Sequence, residues 1–168
     1  MLTEEIPPRP SSFSRVSLAI ITEPGQANAF GTLHGGVILK LADECGAIAA
    51  LRHAGKGQIT TAAIDSMIFL SPVYVGERVE FSAEVTYVGR TSIETKIEIF
   101  AEPIEVSERR KVAVGYALYV ALDESGRRPR PVPPLLIDND AGHRAALAAQ
   151  ARQTNRLARR ALAQGQGT

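Results

Sequence analysis

The chain has 168 residues, 45% of them hydrophobic and 22% charged, with a formal net charge of +1. That composition belongs to a globular domain large enough to bury a core without staples, and the near-zero charge argues against nucleic-acid binding by the whole protein. The single cysteine, Cys45, excludes an intramolecular disulfide and fits a reducing cytoplasm.

Residues 1–11 are acidic and broken by proline, which reads as a flexible N-terminus and not as a signal peptide. Residues 13–22 are rich in β-branched side chains and predict a strand, followed by an irregular loop over 23–28. Next comes a helix over 36–53, apolar on almost every side, which stops at Ala54-Gly55-Lys56-Gly57. Such a helix should be enclosed. It also lies in the chain's longest apolar stretch, but Lys40, Asp43 and Glu44 interrupt it, so no membrane span is predicted.

Four strands follow, over 59–70, 78–88, 91–101 and 111–122. In the second, Val79, Phe81, Ala83, Val85 and Tyr87 share one face and Glu80, Ser82, Glu84 and Thr86 the other. In the third, Ile93, Thr95, Ile97 and Ile99 oppose Glu94, Lys96 and Glu98. The linkers, Ser71-Pro72 to Gly76-Glu77, Gly89-Arg90, and Pro103 to Arg110, suit hairpins and predict an antiparallel meander. Pro129, Pro131, Pro133 and Pro134 forbid a central strand or a helix there. Asp138-Asn139-Asp140 can cap a last helix over 141–163. Residues 137–168 thus form a basic C-terminal helix: residues 141–168 hold five arginines (Arg144, Arg152, Arg156, Arg159, Arg160) and no acid, leaving the first 140 residues at −4. The default reading of such a run is a solvated face.

The expected architecture is α+β: an antiparallel sheet wrapped round one long helix, occupying residues 12–136. One sheet covers about half the girth of that helix. A second copy is the simplest cover for the rest, so a dimer with its helices near the two-fold axis is expected.

The segment from Asn28 to Glu44 concentrates the chemistry. Gly35 and Gly36 open the helix, where free amides and the positive end of the helix dipole favour negative charge. Without side chains they also let a substrate carbonyl approach the backbone. Asp43 is a carboxylate on an apolar helix, either solvated at a dimer surface, bridged to Lys40, or used in chemistry. Glu44 is its rival, about 100° further round. Asn28 is a turn former or a working amide, and His34 a helix-start residue or a donor to substrate. Cys45, among Ala, Gly and Ile, reads as an inert core residue. His34, His53 and His143 have no metal-ligand spacing, and neither a Gly-x-Ser-x-Gly elbow nor a phosphate loop occurs.

A set of motifs runs in order along the chain. It comprises Asn28-x5-His34-Gly35-Gly36, Lys40-Leu-x-Asp43-Glu44, Arg52-His53, Ser71-Pro72-Val73-x-Val75-Gly76, Val88-Gly89-Arg90-Thr91-Ser92 and Pro129-x-Pro131-Val132-Pro133-Pro134-Leu135. With these motifs the sequence resembles the hotdog-fold acyl-CoA thioesterases, in particular the cytosolic acyl-CoA hydrolase branch. The resemblance implies the hotdog fold and hydrolysis of an acyl-CoA to a carboxylate and coenzyme A, with no metal or redox cofactor. It implies that Asp43 attacks the thioester or activates water, and that Asn28 works with the Asp of the facing protomer. It further implies that Gly35 or Gly36 supplies an oxyanion donor, with His34 bonding the thioester or holding the loop. Arg90, Thr91 and Ser92 are expected near the nucleotide end of coenzyme A, and dimers are expected to assemble as a trimer of dimers, a hexamer, in the cytoplasm. Two other readings remain at this level. One is a hydratase or dehydratase of the same fold. The other is a non-catalytic acyl-CoA-binding regulator, which would need a DNA-reading module that 137–168, a lone helix, does not offer.

Overall fold

The computed structural model describes residues 6–137 and 140–165. In chain order these hold β1 (Arg9–Pro10), α1 (Ser11–Ser14), β2 (Val16–Ile21), a 3-10 turn (Pro24–Gln26) and α2 (Gly35–Ala54). Then come β3 (Gln58–Phe69), β4 (Arg78–Val88), β5 (Ser92–Glu102), β6 (Arg110–Leu122), β7 (Leu135–Leu136) and α3 (Asp140–Gly165).

Five strands form one antiparallel sheet in the order β2-β4-β5-β6-β3, with α2 across its inner face. The inward rows Val79, Phe81, Ala83, Val85 on β4 and Ile93, Ile97, Ile99 on β5 are wholly buried against Ile38, Ala42, Cys45 and Ala49 of α2. Burying each large apolar side chain contributes about 1.5–3 kcal/mol, and the alanines on the helix let the two layers approach closely.

The sheet is not the simple meander expected. Strands β4, β5 and β6 follow that pattern, but β3 pairs with β6 at the far edge, so 70–77 is a crossover and no hairpin. Its backbone bonds elsewhere: Leu33 N donates to Val73 O, and Thr32 bridges Tyr74. A local turn does form, with Glu77 N donating to Tyr74 O at 3.3 Å, but it feeds β4 beside β2 across the sheet and not back along β3.

The start of the chain is also corrected. The predicted strand over 13–22 begins only at Val16, because Ser11–Ser14 make a helical turn. Residues 9 and 10 are not loose, since they pair in parallel with Leu135 and Leu136. Arg9 donates to the carbonyls of Arg52 (3.2 Å) and His53 (2.6 Å), satisfying groups that the end of α2 leaves open. The helix itself stops at Gly55, whose φ of 83° suits glycine. Of the predicted cap on the last helix, Asp138 and Asn139 lie outside the described residues.

Helix α3 is not simply a solvated basic face. Arg152 and Arg156 turn inward onto β5, where they meet Glu94, a carboxylate with 0% exposure. This is why Glu94 departs from the in–out alternation of its strand. No described helix is long and apolar enough to cross a membrane.

Candidate functional site

The predicted residues fall in three places. The first is the start of α2. Asn28 folds its own loop: Oδ1 accepts from the amides of Phe30 (2.9 Å) and Thr32 (3.2 Å), and Nδ2 donates to Thr32 Oγ1 (2.8 Å). The tip of that loop presents Phe30, 91% exposed. His34 is the helix N-cap, and its Nδ1 accepts the Gly36 amide at 2.9 Å. The Gly36 donor is therefore occupied. The Gly35 amide makes no hydrogen bond among the described residues, and Gly35 borders an open groove of about 380 Å³ lined by Ile38, Phe69, Leu70 and Val73.

The second place lies two helical turns on. Asp43 is half-buried, and its Oδ1 accepts from Thr61 Oγ1 (2.9 Å) on β3 and Tyr119 Oη (3.2 Å) on β6. Both donors escape a reading of the sequence. Thr61 is one of two adjacent threonines on an edge strand, just before a register shift. Tyr119 did carry a signal, because a tyrosine at a buried position needs a partner for its hydroxyl. Burial above all, and then the Asp43 carboxylate, pushes the Tyr119 hydroxyl well above its ordinary pKa, so it keeps the proton it donates. Lys40 bridges Glu44 (3.2 Å) and not Asp43, and Glu44 points outward. Cys45 is fully buried, and burial pushes its thiol up to about 11, which leaves it inert.

The third place is the β4–β5 corner. Gly89 N donates to Ser92 O (2.8 Å), Ala121 N to Thr91 O (2.9 Å) and Val132 N to Arg90 O (3.2 Å), so β6 and the proline-rich arm brace its backbone. The Arg90 side chain is exposed and has no ion pair among the described residues. It stands at the rim of a cavity of about 430 Å³ shared with Pro131, Val132 and α3. His53 anchors the same arm: its Nε2 lies 3.0 Å from Pro133 O and the ring is wholly buried. Within one chain, Asn28 does not contact Asp43, and the corner is separate from both. No group of three or more His, Cys, Asp or Glu able to hold a metal occurs among the described residues.

The chain is similar in sequence and fold to known proteins. The family model described as the thioesterase superfamily matches residues 30–108. The mouse cytosolic acyl coenzyme A thioester hydrolase is 32% identical over 135 residues, which is 79% of this chain but 35% of that protein. The chain thus spans about a third of the length of that relative. A Staphylococcus aureus acyl-CoA hydrolase, solved with butyryl coenzyme A, coenzyme A and coenzyme A disulfide, superposes with a TM-score of 0.87 at 31% identity. That match covers 95% of this chain and 96% of the other. An apo-hexameric acyl-CoA thioesterase gives a TM-score of 0.86 at 35% identity, covering 94% and 99%.

Proposed function

We infer the reaction from one premise: the chain belongs to the hotdog-fold acyl-CoA thioesterases of the thioesterase superfamily. It hydrolyses acyl-CoA thioesters to a free carboxylate and coenzyme A. The observation that carries this reading is the Asp43 carboxylate, pinned at one oxygen on an apolar helix by two hydroxyls. With Oδ1 held by Thr61 and Tyr119, Oδ2 has no hydrogen-bond partner among the described residues. That oxygen is the one to attack the carbonyl carbon or to take a proton from water.

We assign the oxyanion donor and the Asp43 carboxylate to different copies of the chain. Gly36 and Asp43 are seven residues apart, about 10 Å along the helix axis. One carbonyl must lie within about 3 Å of both its donor and the attacking group. Two copies facing each other satisfy this, with Asn28 and the Gly35 or Gly36 amide from one and Asp43 from the other. The surface suits such a pairing: Ile48 and Leu51 on α2, and Ile64, Ile68, Phe69 and Leu70 on and after the edge strand β3, are exposed in the single chain. Of the two amides, that of Gly35 is free to bind, while His34 holds that of Gly36. A carbonyl held at Gly35 would lead its acyl chain into the adjoining apolar groove.

The β4–β5 corner takes the nucleotide end of coenzyme A, with Arg90 facing a phosphate and Thr91 and Ser92 as hydroxyl donors. Dimers assemble into a hexamer, a reading supported by the hexameric relative. Water and the chain's own groups supply the chemistry without a cofactor, in a cytoplasmic setting that suits the lone buried cysteine. Thiol release from a panel of acyl-CoAs tests the whole reading. Release with carboxylate formation is the expected result. Hydration of an enoyl-CoA, or tight binding with no turnover, overturns it.

A further inference from the structure

We propose that Tyr119 is a positioning residue that fixes the Asp43 carboxylate from beneath the helix, and that Gly46 exists to admit its hydroxyl. The inference rests on the reading of Asp43 given above. Tyr119 heads the fully buried side chains by volume, with 0% exposure. It crosses from β6 to α2, where its hydroxyl lies 3.1 Å from the Asp43 backbone oxygen and 3.2 Å from Oδ1. A phenylalanine would fill the core as well and would bring no polar atom to satisfy.

The helix carries a matching cost. Gly46 sits one turn after Asp43 in the interior of α2, where glycine is the poorest helix former after proline. Its backbone has no positive φ to explain it. A Cβ at this position would lie 2.4 Å from the Tyr119 hydroxyl oxygen and 2.9 Å from Thr95 Oγ1. The glycine and the hydroxyl are therefore one device. Together with Thr61 it holds Oδ1 and selects the carboxylate rotamer that turns Oδ2 toward the facing copy.

The test is a double-mutant cycle on the full chain, read by thiol release. Tyr119→Phe should lower kcat about tenfold, the worth of one hydrogen bond to a charged group, with KM changed less than twofold. Gly46→Ala should give the same loss, because its methyl displaces the hydroxyl. In the Phe background, Gly46→Ala should cost clearly less kcat than it does beside Tyr119, the remainder being the shift it forces on Thr95 Oγ1. A packing role alone predicts no such split between kcat and KM and no such coupling. Wild-type kcat in Tyr119→Phe, or additive losses in the double variant, overturns the inference. If Tyr119→Phe does not fold, Gly46→Ala alone decides, since an unchanged kcat in that variant is equally fatal. Asp43→Asn turning over at the unmutated rate removes the underlying reading and this inference with it, an outcome distinct from the others.

Discussion

Arg156 on α3 places Nη1 2.7 Å from Oε2 of Glu94, a carboxylate with no exposed surface. Arg152 bonds the other oxygen at 2.7 Å and stacks over Tyr116 at 3.7 Å, Thr86 adds a hydroxyl at 2.8 Å, and Arg156 also pairs with Asp65. Every lone pair facing the helix is used, so the network fixes α3 in one position on the outer face of the sheet. Glu94→Gln would leave Arg152 facing a neutral amide and Arg156 with Asp65 as its remaining carboxylate. We expect a loss of about 3–5 kcal/mol in denaturant unfolding, since breaking a buried pair strands the remaining charge. Exposed Arg159→Ala should change stability by less than about 0.5 kcal/mol. Equal effects for the two variants would show that α3 is held by something else.

Stability should fall in two steps on acidification. Burial pulls His53 below its ordinary 6.5, outweighing the bond to Pro133. The fold therefore favours the neutral ring. Its contribution is complete above pH 6.5 and is lost as pH drops beneath that value. Glu94 behaves as a depressed carboxylate: burial raises it, but donors from Arg152, Arg156 and Thr86 prevail and hold it below its ordinary 4.5. Glu77, bonded by Arg110, and Glu98, bonded by Lys111 and Lys96, shift the same way. Their contribution is complete above pH 4.5 and is lost below it. Thermal unfolding followed from pH 8 to pH 3 should show both declines. His53→Gln should flatten the first and leave the second.

The legible parts of this protein were those in which side-chain period and local geometry agree. The alternation on β4 and β5 predicted their buried faces, on β4 as far as Val85, after which a register shift takes Tyr87 out of the buried row, and the apolar run with Gly55 predicted α2 to within a residue at each end. The crossover over 70–77 was not legible, because Pro72 and Gly76 signal a turn equally well whether the next strand lies beside β3 or across the sheet. Long-range pairing decides that, and no local residue records it. The same limit hid the surroundings of Asp43. The carboxylate stood out on its helix, but Thr61 and Tyr119 reach it from strands 18 and 76 residues away in sequence. The tail arginines misled for the reciprocal reason: their partner Glu94 looked like an ordinary outward residue of a strand until α3 covered it.

Asp43→Ala should remove most turnover and leave the fold intact. The side chain is only half-buried, and its two donors reach it by hydroxyls that can rotate. We expect kcat to fall by about 10²–10⁴, the usual contribution of a positioned base, with melting temperature changed by a few degrees at most. Glu44→Ala breaks only an exposed pair with Lys40 and should leave kcat within about twofold. Thiol release and thermal melts on the two variants check both halves. The base assignment is falsified if the Glu44 variant loses turnover and the Asp43 variant keeps it.

Arg90 tests the corner separately from the chemistry. Its side chain is exposed and has no ion pair among the described residues, and no hydrogen bond joins it to Asp43 or to the donors that hold Asp43, so its removal should not disturb the carboxylate. A charge-assisted bond between guanidinium and phosphate is stronger than a neutral one and is lost entirely on Arg90→Ala. We expect KM for an acyl-CoA to rise about tenfold, corresponding to about 1.4 kcal/mol, with kcat unchanged. The same acyl group carried on pantetheine lacks the nucleotide phosphates, so its KM should be equal in both proteins. The effect on acyl-CoA should shrink as salt is raised, since an exposed charge pair is screened beyond about 8–10 Å at physiological ionic strength. If both substrates lose affinity alike, Arg90 supports the hairpin and does not meet a phosphate. If neither does, the nucleotide binds elsewhere.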